Sequence, residues 1–259
     1  VACAGVSAHL LGLNESATKE ALKVAEYNSH YIPIIRGVKK PGMVKHGVGL
    51  GAFQGIASAK LALEGFTGSD SLLEKKEYDK WLADFGSCYV MIDGVIWKEY
   101  ASCAWTHPAL DAVKSLMKEY DFDPMDIGSI RIKTHEKACQ LGTELPETTE
   151  GAQFNLAWPV AALLVDGEVG PGQIKEERLD DSDIRGLAGK VRTEESPEMT
   201  ELYELAVRGE PGGGHVAEVR IKKADGRELS SGIVEGNIRY PPRGWNRERI
   251  EEKFKRLAG

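Results

Sequence analysis

The chain is short of the features that would commit it to a structural metal, a membrane or a nucleic acid. Among its 259 residues are only four cysteines, Cys3, Cys88, Cys103 and Cys139, widely spaced and with no Cys-x-x-Cys pair. That spacing excludes the close Cys/His cluster a structural zinc needs, and reduced thiols in a cytoplasmic protein fit best. No metal and no cofactor are expected, because no His and carboxylate spacing recurs on a shared face. Apolar runs such as Ala157 to Val165 fall short of the ~20 residues that span a bilayer. No charged-then-apolar signal segment opens the chain. A basic excess is also missing: 33 Lys plus Arg stand against 40 Asp plus Glu, for a net charge of -7 and a pI near 5.5. Nucleic acid and anionic membrane, which need a cationic surface to release counterions or meet headgroups, are therefore not expected partners. Gly212-Gly213-Gly214 is not followed by Lys-Ser/Thr, so it reads as a flexible loop and not a phosphate loop.

One further absence is local. From Tyr27 to Leu63 there is no Asp or Glu, while Arg36, Lys39, Lys40, Lys45 and Lys60 sit there with His30 and His46. The Gly-rich run from His46 to Gly55 leads into an apolar helical pattern. A cationic island at a helix start is suited to an anion, because unpaired N–H groups and the positive helix end add to the side-chain charge. A carboxylate or phosphate ligand is the first reading of Lys45-His46. A solvated loop pair is the plain one.

What is present predicts a real core, since 42% of residues are hydrophobic over a length sufficient for one large or two modest domains. Residues 1 to about 100 read as helical: Ala2 to Leu11, a helix capped by Asn14 or Ser16 through Tyr27, and a long helix from Gly47 to Glu64 closed by Gly65. In that helix Gly47, Gly51, Gly55, Ser58 and Ala62 recur as a small-residue stripe for close packing, with Phe53, Ile56, Lys60 and Leu63 on another face. Val1 to Leu13 already reads as the middle of a packed helix, so an upstream piece or a partner chain is expected. From Thr106 the texture becomes mixed. Pro108 opens a helix to about Tyr120, and Ile127 to His135 alternates as a strand. Glu218 to Lys223 and Leu229 to Val234 flank Asp225-Gly226 as a hairpin. Gly151 to Val165 and Ser182 to Val191 read as helices, and 239–246 as a linker before a charged helix from Arg247. The expected fold class is α+β: a large helical domain, 1–100 and 239–259, interrupted by a smaller α+β domain over 101–238.

The second chemically equipped stretch runs from Trp97 to Pro108, at the expected domain boundary, where ligands tend to bind. Lys98, Cys103 and His107 are competent side chains there. Taken singly, Cys103 reads as a small buried residue, His107 as a helix cap and Lys98 as a partner of Glu99. His9, His135 and His215 read as structural.

Three segments resemble the MmgE/PrpD family, whose best known member is 2-methylcitrate dehydratase. They are Val44-Lys45-His46-Gly47-Val48-Gly49 through Gly65-Phe66-Thr67-Gly68; Lys98 through Thr106-His107-Pro108-Ala109-Leu110-Asp111-Ala112; and Phe154-Asn155-Leu156-Ala157-Trp158-Pro159-Val160-Ala161 with Leu164-Val165-Asp166-Gly167. The resemblance implies an all-helical domain with an α+β lid inserted and the active site between them. It implies metal-free dehydration, decarboxylation or epimerisation of small di- and tricarboxylic acids by a homodimer.

Carried over by position, Lys45 matches the family's active-site lysine after a one-residue shift, and Lys98 its second cleft lysine. Cys103 falls where decarboxylating members have a histidine. The family's upstream segment with its catalytic Asp and His has no counterpart. The expected site therefore has Lys45, His46 and Lys98 as catalytic residues, and Lys45, Lys98, Cys103 and His107 contacting a small di- or tricarboxylate. Lysines would neutralise carboxylates as a neighbouring C–H proton leaves, and His46 has the intrinsic pKa to move that proton. The alternatives are an epimerase or decarboxylase of a related acid, and a non-catalytic carboxylate-binding subunit.

Overall fold

The computed structural model describes residues 1–30, 32–83, 85–88, 98–236 and 247–258. The chain divides into two compact units, one of Val1–Gly37 with Gly42–Tyr89, the other of Val38–Pro41 with Val90–Gly259.

The first unit is helical. Helices α1 (Ala2–Leu10), α2 (Glu15–Tyr27) and α4 (Val48–Leu63) pack on one another, and the short α3 (Ile34–Lys39) lies between the last two in sequence. Asn14 starts α2 by accepting the Ala17 N–H at 2.9 Å, which satisfies one of the four unpaired donors of a helix start. The core is built from small side chains: Ala8, Ala21, Ala59 and Ala62, with Leu13 against them. Close approach makes this possible. A Cβ on Gly55 would lie 2.6 Å from the Cys3 Cβ and 2.7 Å from the Ala4 nitrogen. The expected stripe is thus only partly used: Gly55, Ser58, Ala59 and Ala62 are buried, whereas Gly51 meets nothing within 4 Å. After α4, Gly65 (φ 86°) turns the chain, and α2 acids hold the return. Glu20 accepts from Gly68 N–H at 2.7 Å, and Glu26 accepts from Leu72 N–H at 2.8 Å and from the Ser71 hydroxyl. A short α5 (Asp79–Leu82) follows.

The second unit carries the mixed structure. Helix α6 (His107–Glu119) starts with Pro108 in its first turn, where the missing N–H costs nothing. Strand β1 (Ile127–Thr134) follows, then α7 (Glu136–Cys139), α8 (Thr149–Gln153), α9 (Ala157–Asp166), α10 (Ser182–Ala188), β2 (Val191–Glu195), α11 (Pro197–Val207), β3 (Val216–Lys223) and β4 (Glu228–Glu235). The sheet order is β2-β1-β3-β4, with β1 and β2 parallel and the other pairs antiparallel. Leu110, Leu116, Ile130, Ile132, Trp158 and Ile221 are fully buried, each contributing about 1.5–3 kcal/mol by transfer from water. The charged helix α12 (Arg247–Ala258) groups with this unit. The expected linker over 239–246 lies outside the described residues.

Two expected helices are corrected. The run from Gly151 to Val165 breaks into α8 and α9, because the Asn155 Oδ1 accepts the Trp158 N–H at 2.7 Å and caps a new helix. The run from Ser182 to Val191 ends at Ala188, and Val191 opens β2, which pairs with β1. The α+β class holds. Among the described residues no helix is long and apolar enough to cross a membrane.

Candidate functional site

In the first unit the acid-free stretch ends at the start of α4, where Gly47 offers no side chain to cap the exposed N–H groups. His46, immediately before it, is exposed and stands at φ 52°, a left-handed conformation that few residues other than glycine adopt and that stores strain. Lys45 is half-buried. A small cavity of about 110 Å³ lies beside this helix start, lined by His30, Ser29, Gly47, Gly51 and Gln54 among others. Gln54 helps to shape it by donating to the Asn28 carbonyl at 2.5 Å.

In the second unit the stretch from Lys98 to His107 folds as a loop and a single 3-10 turn, pinned from three sides. Helix α12 holds its beginning: Lys253 Nζ donates to the Lys98 carbonyl, and Arg249 pairs with Glu99 at 2.7 Å. Burial lowers the affinity of Lys253 for its proton. Tyr100 is buried and donates to Asp111 Oδ1 at 2.7 Å, tying the loop to α6. Cys103, half-buried, donates its N–H to the Gln153 carbonyl at 2.8 Å at the end of α8. Its own carbonyl accepts from the Thr106 hydroxyl, which shares a buried 2.6 Å contact with Ser102. Lys98 stays exposed.

His107 is fully buried, edge-on to Tyr100 at 5.0 Å, and among the described residues neither ring nitrogen has a hydrogen-bond partner. The carbonyls of Ser102 and Tyr100 lie close enough to favour a proton on it slightly, yet burial and then the charge of Lys98 dominate and hold its pKa down to about 3. The ring is therefore neutral at ordinary pH, and the Lys98 charge acts on it through the protein interior.

A third grouping gathers Trp105, His135, Tyr203 and His215. His135 stacks on Tyr203 at 4.2 Å, and His215 meets Tyr203 edge-on at 5.0 Å. His135 is buried, its Nδ1 accepts the Ala138 N–H at 3.2 Å, and burial depresses its pKa to about 3. Capping and stacking position this ring, while its Nε2 is buried with no hydrogen-bond partner among the described residues.

A cavity of about 500 Å³ opens within the second unit, with Cys139 on its wall. Lys39, Gln140, Glu144, Phe154 and Asn155 are among its walls. Lys39 belongs to the acid-free stretch that the sequence marks, but nothing in the sequence joins it to Gln140, a hundred residues later. Lys98, Cys103 and His107 are brought together on one loop; Lys45 and His46 are together at the head of α4. Among the described residues, no group of three or more His, Cys, Asp or Glu is placed to hold a metal ion.

Residues 100–259 match the family model described as the MmgE/PrpD C-terminal domain. No curated protein matches the chain at a significant level.

Proposed function

Because the chain belongs to the MmgE/PrpD family, we propose that it is a lyase that removes water from a small tricarboxylic acid such as 2-methylcitrate, by taking a proton from the carbon next to a carboxylate. The family match over the whole α+β block is the observation that carries this reading. Lys45 and Lys98 neutralise substrate carboxylates and the charge that grows as the C–H proton leaves. Charge already in place for the transition state is the largest single contribution in most such reactions. His46 moves the proton. Its left-handed backbone supports that role, since strain of this kind persists where function holds it. Cys103 lies beside the reacting groups, and His107, kept neutral, fixes the loop that carries Lys98. In this reading the α+β stretch over 101–238 is the lid of a homodimeric cytoplasmic enzyme.

The test is to supply 2-methylcitrate to the purified protein and follow the ultraviolet absorbance of the unsaturated product. Lys98→Ala is expected to lower kcat/KM by about a hundredfold or more, the scale on which removing one transition-state donor acts. Carbon dioxide release, or solvent deuterium incorporation without unsaturated product, moves the assignment to a decarboxylase or an epimerase of the same acid class. No turnover by any of the three readouts overturns the catalytic reading.

A further inference from the structure

Helix α12 meets the second unit through charged side chains. None of its 12 residues is buried; Arg249, Ile250 and Lys253 are half-buried, and the others, Phe254 and Leu257 among them, are exposed. A helix of this length is marginal in water by itself, so its contacts hold it in place. Arg249, Lys253 and Arg256 recur at i, i+4 and i+7 and share one face. Arg249 pairs with Glu99 at 2.7 Å, Lys253 Nζ donates to the Lys98 carbonyl, and Arg256 reaches Glu168 at 3.6 Å. The loop closes the circuit: Ala101 N–H donates at 2.9 Å to the carbonyl of Val169, the neighbour of Glu168.

The place of these contacts is what matters. From Tyr100 onward the loop is pinned by bonds to α6, to the end of α8 and within its own turn, through Asp111, Gln153 and Thr106. The grip of α12 falls on the two residues before that, Lys98 and Glu99. Lys98 is exposed, and its ammonium rides on a flexible four-carbon stem, so where it can reach depends on where the backbone sets the stem. Lys253 gives up water to stand against that backbone, and burial lowers its affinity for a proton. A partly desolvated ammonium is costly unless it is hydrogen-bonded, and the Lys98 carbonyl supplies the bond.

We propose that Arg249 and Lys253 of α12 are positioning residues for Lys98, fixing the backbone from which its side chain reaches the substrate. The catalytic side of this inference rests on the role given to Lys98 above; the hold of α12 on the loop does not. Neither residue acts on the substrate. Each acts through Lys98, and a misplacement of about 1 Å at a charge that must meet a transition state is enough to cost up to about a hundredfold in rate.

The test joins amide hydrogen exchange to kinetics on the intact chain, with circular dichroism of each variant to confirm that it is folded. Arg249→Ala and Lys253→Met should each speed exchange at Ala101 and Cys103 by about fivefold or more, the scale of one lost contact, while β1 and β3 exchange as before. With 2-methylcitrate each should lower kcat by about tenfold and move KM less. Arg249→Lys, which keeps a cation for Glu99, should restore most of both. In a Lys98→Ala background neither variant should lower the rate further, because a residue that acts through Lys98 has nothing left to position. Equal rate losses with and without Lys98, or loop exchange unchanged in both variants, overturns the proposal. The two readings fail separately. Unsaturated product formed while loop exchange is unchanged in both variants removes the positioning role and keeps the lyase. Faster loop exchange without turnover keeps the hold of α12 on Lys98 and removes the lyase.

Discussion

Arg249 reaches Glu99 at 2.7 Å across 150 residues of sequence, and one turn further along α12 Lys253 donates to the carbonyl of Lys98. The last helix thus grips the loop that presents Lys98 at two consecutive residues of that loop. The Arg249 and Glu99 side chains are 35% and 19% exposed, so water screens the pair in part and its worth lies near the upper end for surface ion pairs, about 1 kcal/mol. Arg249→Ala should lower the stability of the second unit by about that amount, and less in high salt. A double-mutant cycle with Glu99→Gln, read by urea unfolding, should return a coupling of about 0.5–1 kcal/mol. Additive single mutants would mean that the two side chains do not support each other.

The glycines of α4 make opposite predictions one turn apart. At Gly55 an added methyl meets the Cys3 and Ala4 backbone within 3 Å, and backbone cannot move aside as a side chain end can. Gly55→Ala should therefore push α1 away from α4 and destabilise the first unit by about 1–3 kcal/mol, the usual cost of overpacking. At Gly51 nothing lies within 4 Å, and Gly51→Ala should stabilise by about 0.5–1 kcal/mol through helix propensity alone. Thermal unfolding of the two variants side by side checks the sign.

These two glycines also mark how far the sequence could be read. Periodicity showed that the Gly-rich segment is a helix with a small-residue face, but it assigned Gly47, Gly51 and Gly55 one role, and only the crossing with α1 separates them. The hairpin around Asp225-Gly226 and the Pro108 helix start were legible because each rests on local chemistry. Strand β2 was not: its five residues Val-Arg-Thr-Glu-Glu are mostly polar, and it exists through pairing with β1 some sixty residues earlier. Asn155 looked like one more residue in an apolar helix because capping is visible only when the N–H it serves is known. At the candidate site, Lys98, Cys103 and His107 could be named as neighbours in sequence. The burial of His107 and the meeting of Lys39 with Gln140 depend on tertiary packing that no spacing rule encodes.

Burial of His107 carries a consequence for stability against pH. Its pKa falls to about 3 in the folded protein because the buried ring cannot hold a charge beside Lys98, whereas in the unfolded chain it is near 6.5. Between those values the unfolded state binds a proton that the native state refuses, so stability is full above about pH 6.5 and is lost as pH falls toward 3. His135, depressed to a similar value by burial, adds a second such group. His107→Phe keeps the edge contact with Tyr100 and removes one proton from the linkage. The slope of unfolding free energy against pH should drop by up to about 1.4 kcal/mol per unit within that window. An unchanged slope in denaturant titrations from pH 6.5 to 4 would show that the ring is not held neutral by its surroundings.

Asn155 separates capping from bridging. Its Oδ1 starts α9 by taking the Trp158 N–H, and its Nδ2 holds the Glu144 carbonyl of the cavity wall, both at 2.7 Å. Asn155→Asp keeps the acceptor, and its charge suits a helix start, so the cap survives while the bridge to Glu144 is lost. Asn155→Ala loses both and leaves polar backbone groups near the core without partners. The alanine variant should lose about 2–3 kcal/mol in urea unfolding. The aspartate variant should lose less in stability, yet it should loosen the turn from Cys139 to Pro146, read as faster amide hydrogen exchange at Gly142 and Glu144. Equal losses in the two variants, with exchange unchanged in the aspartate, would assign the whole effect of Asn155 to the helix cap and none to the cavity wall.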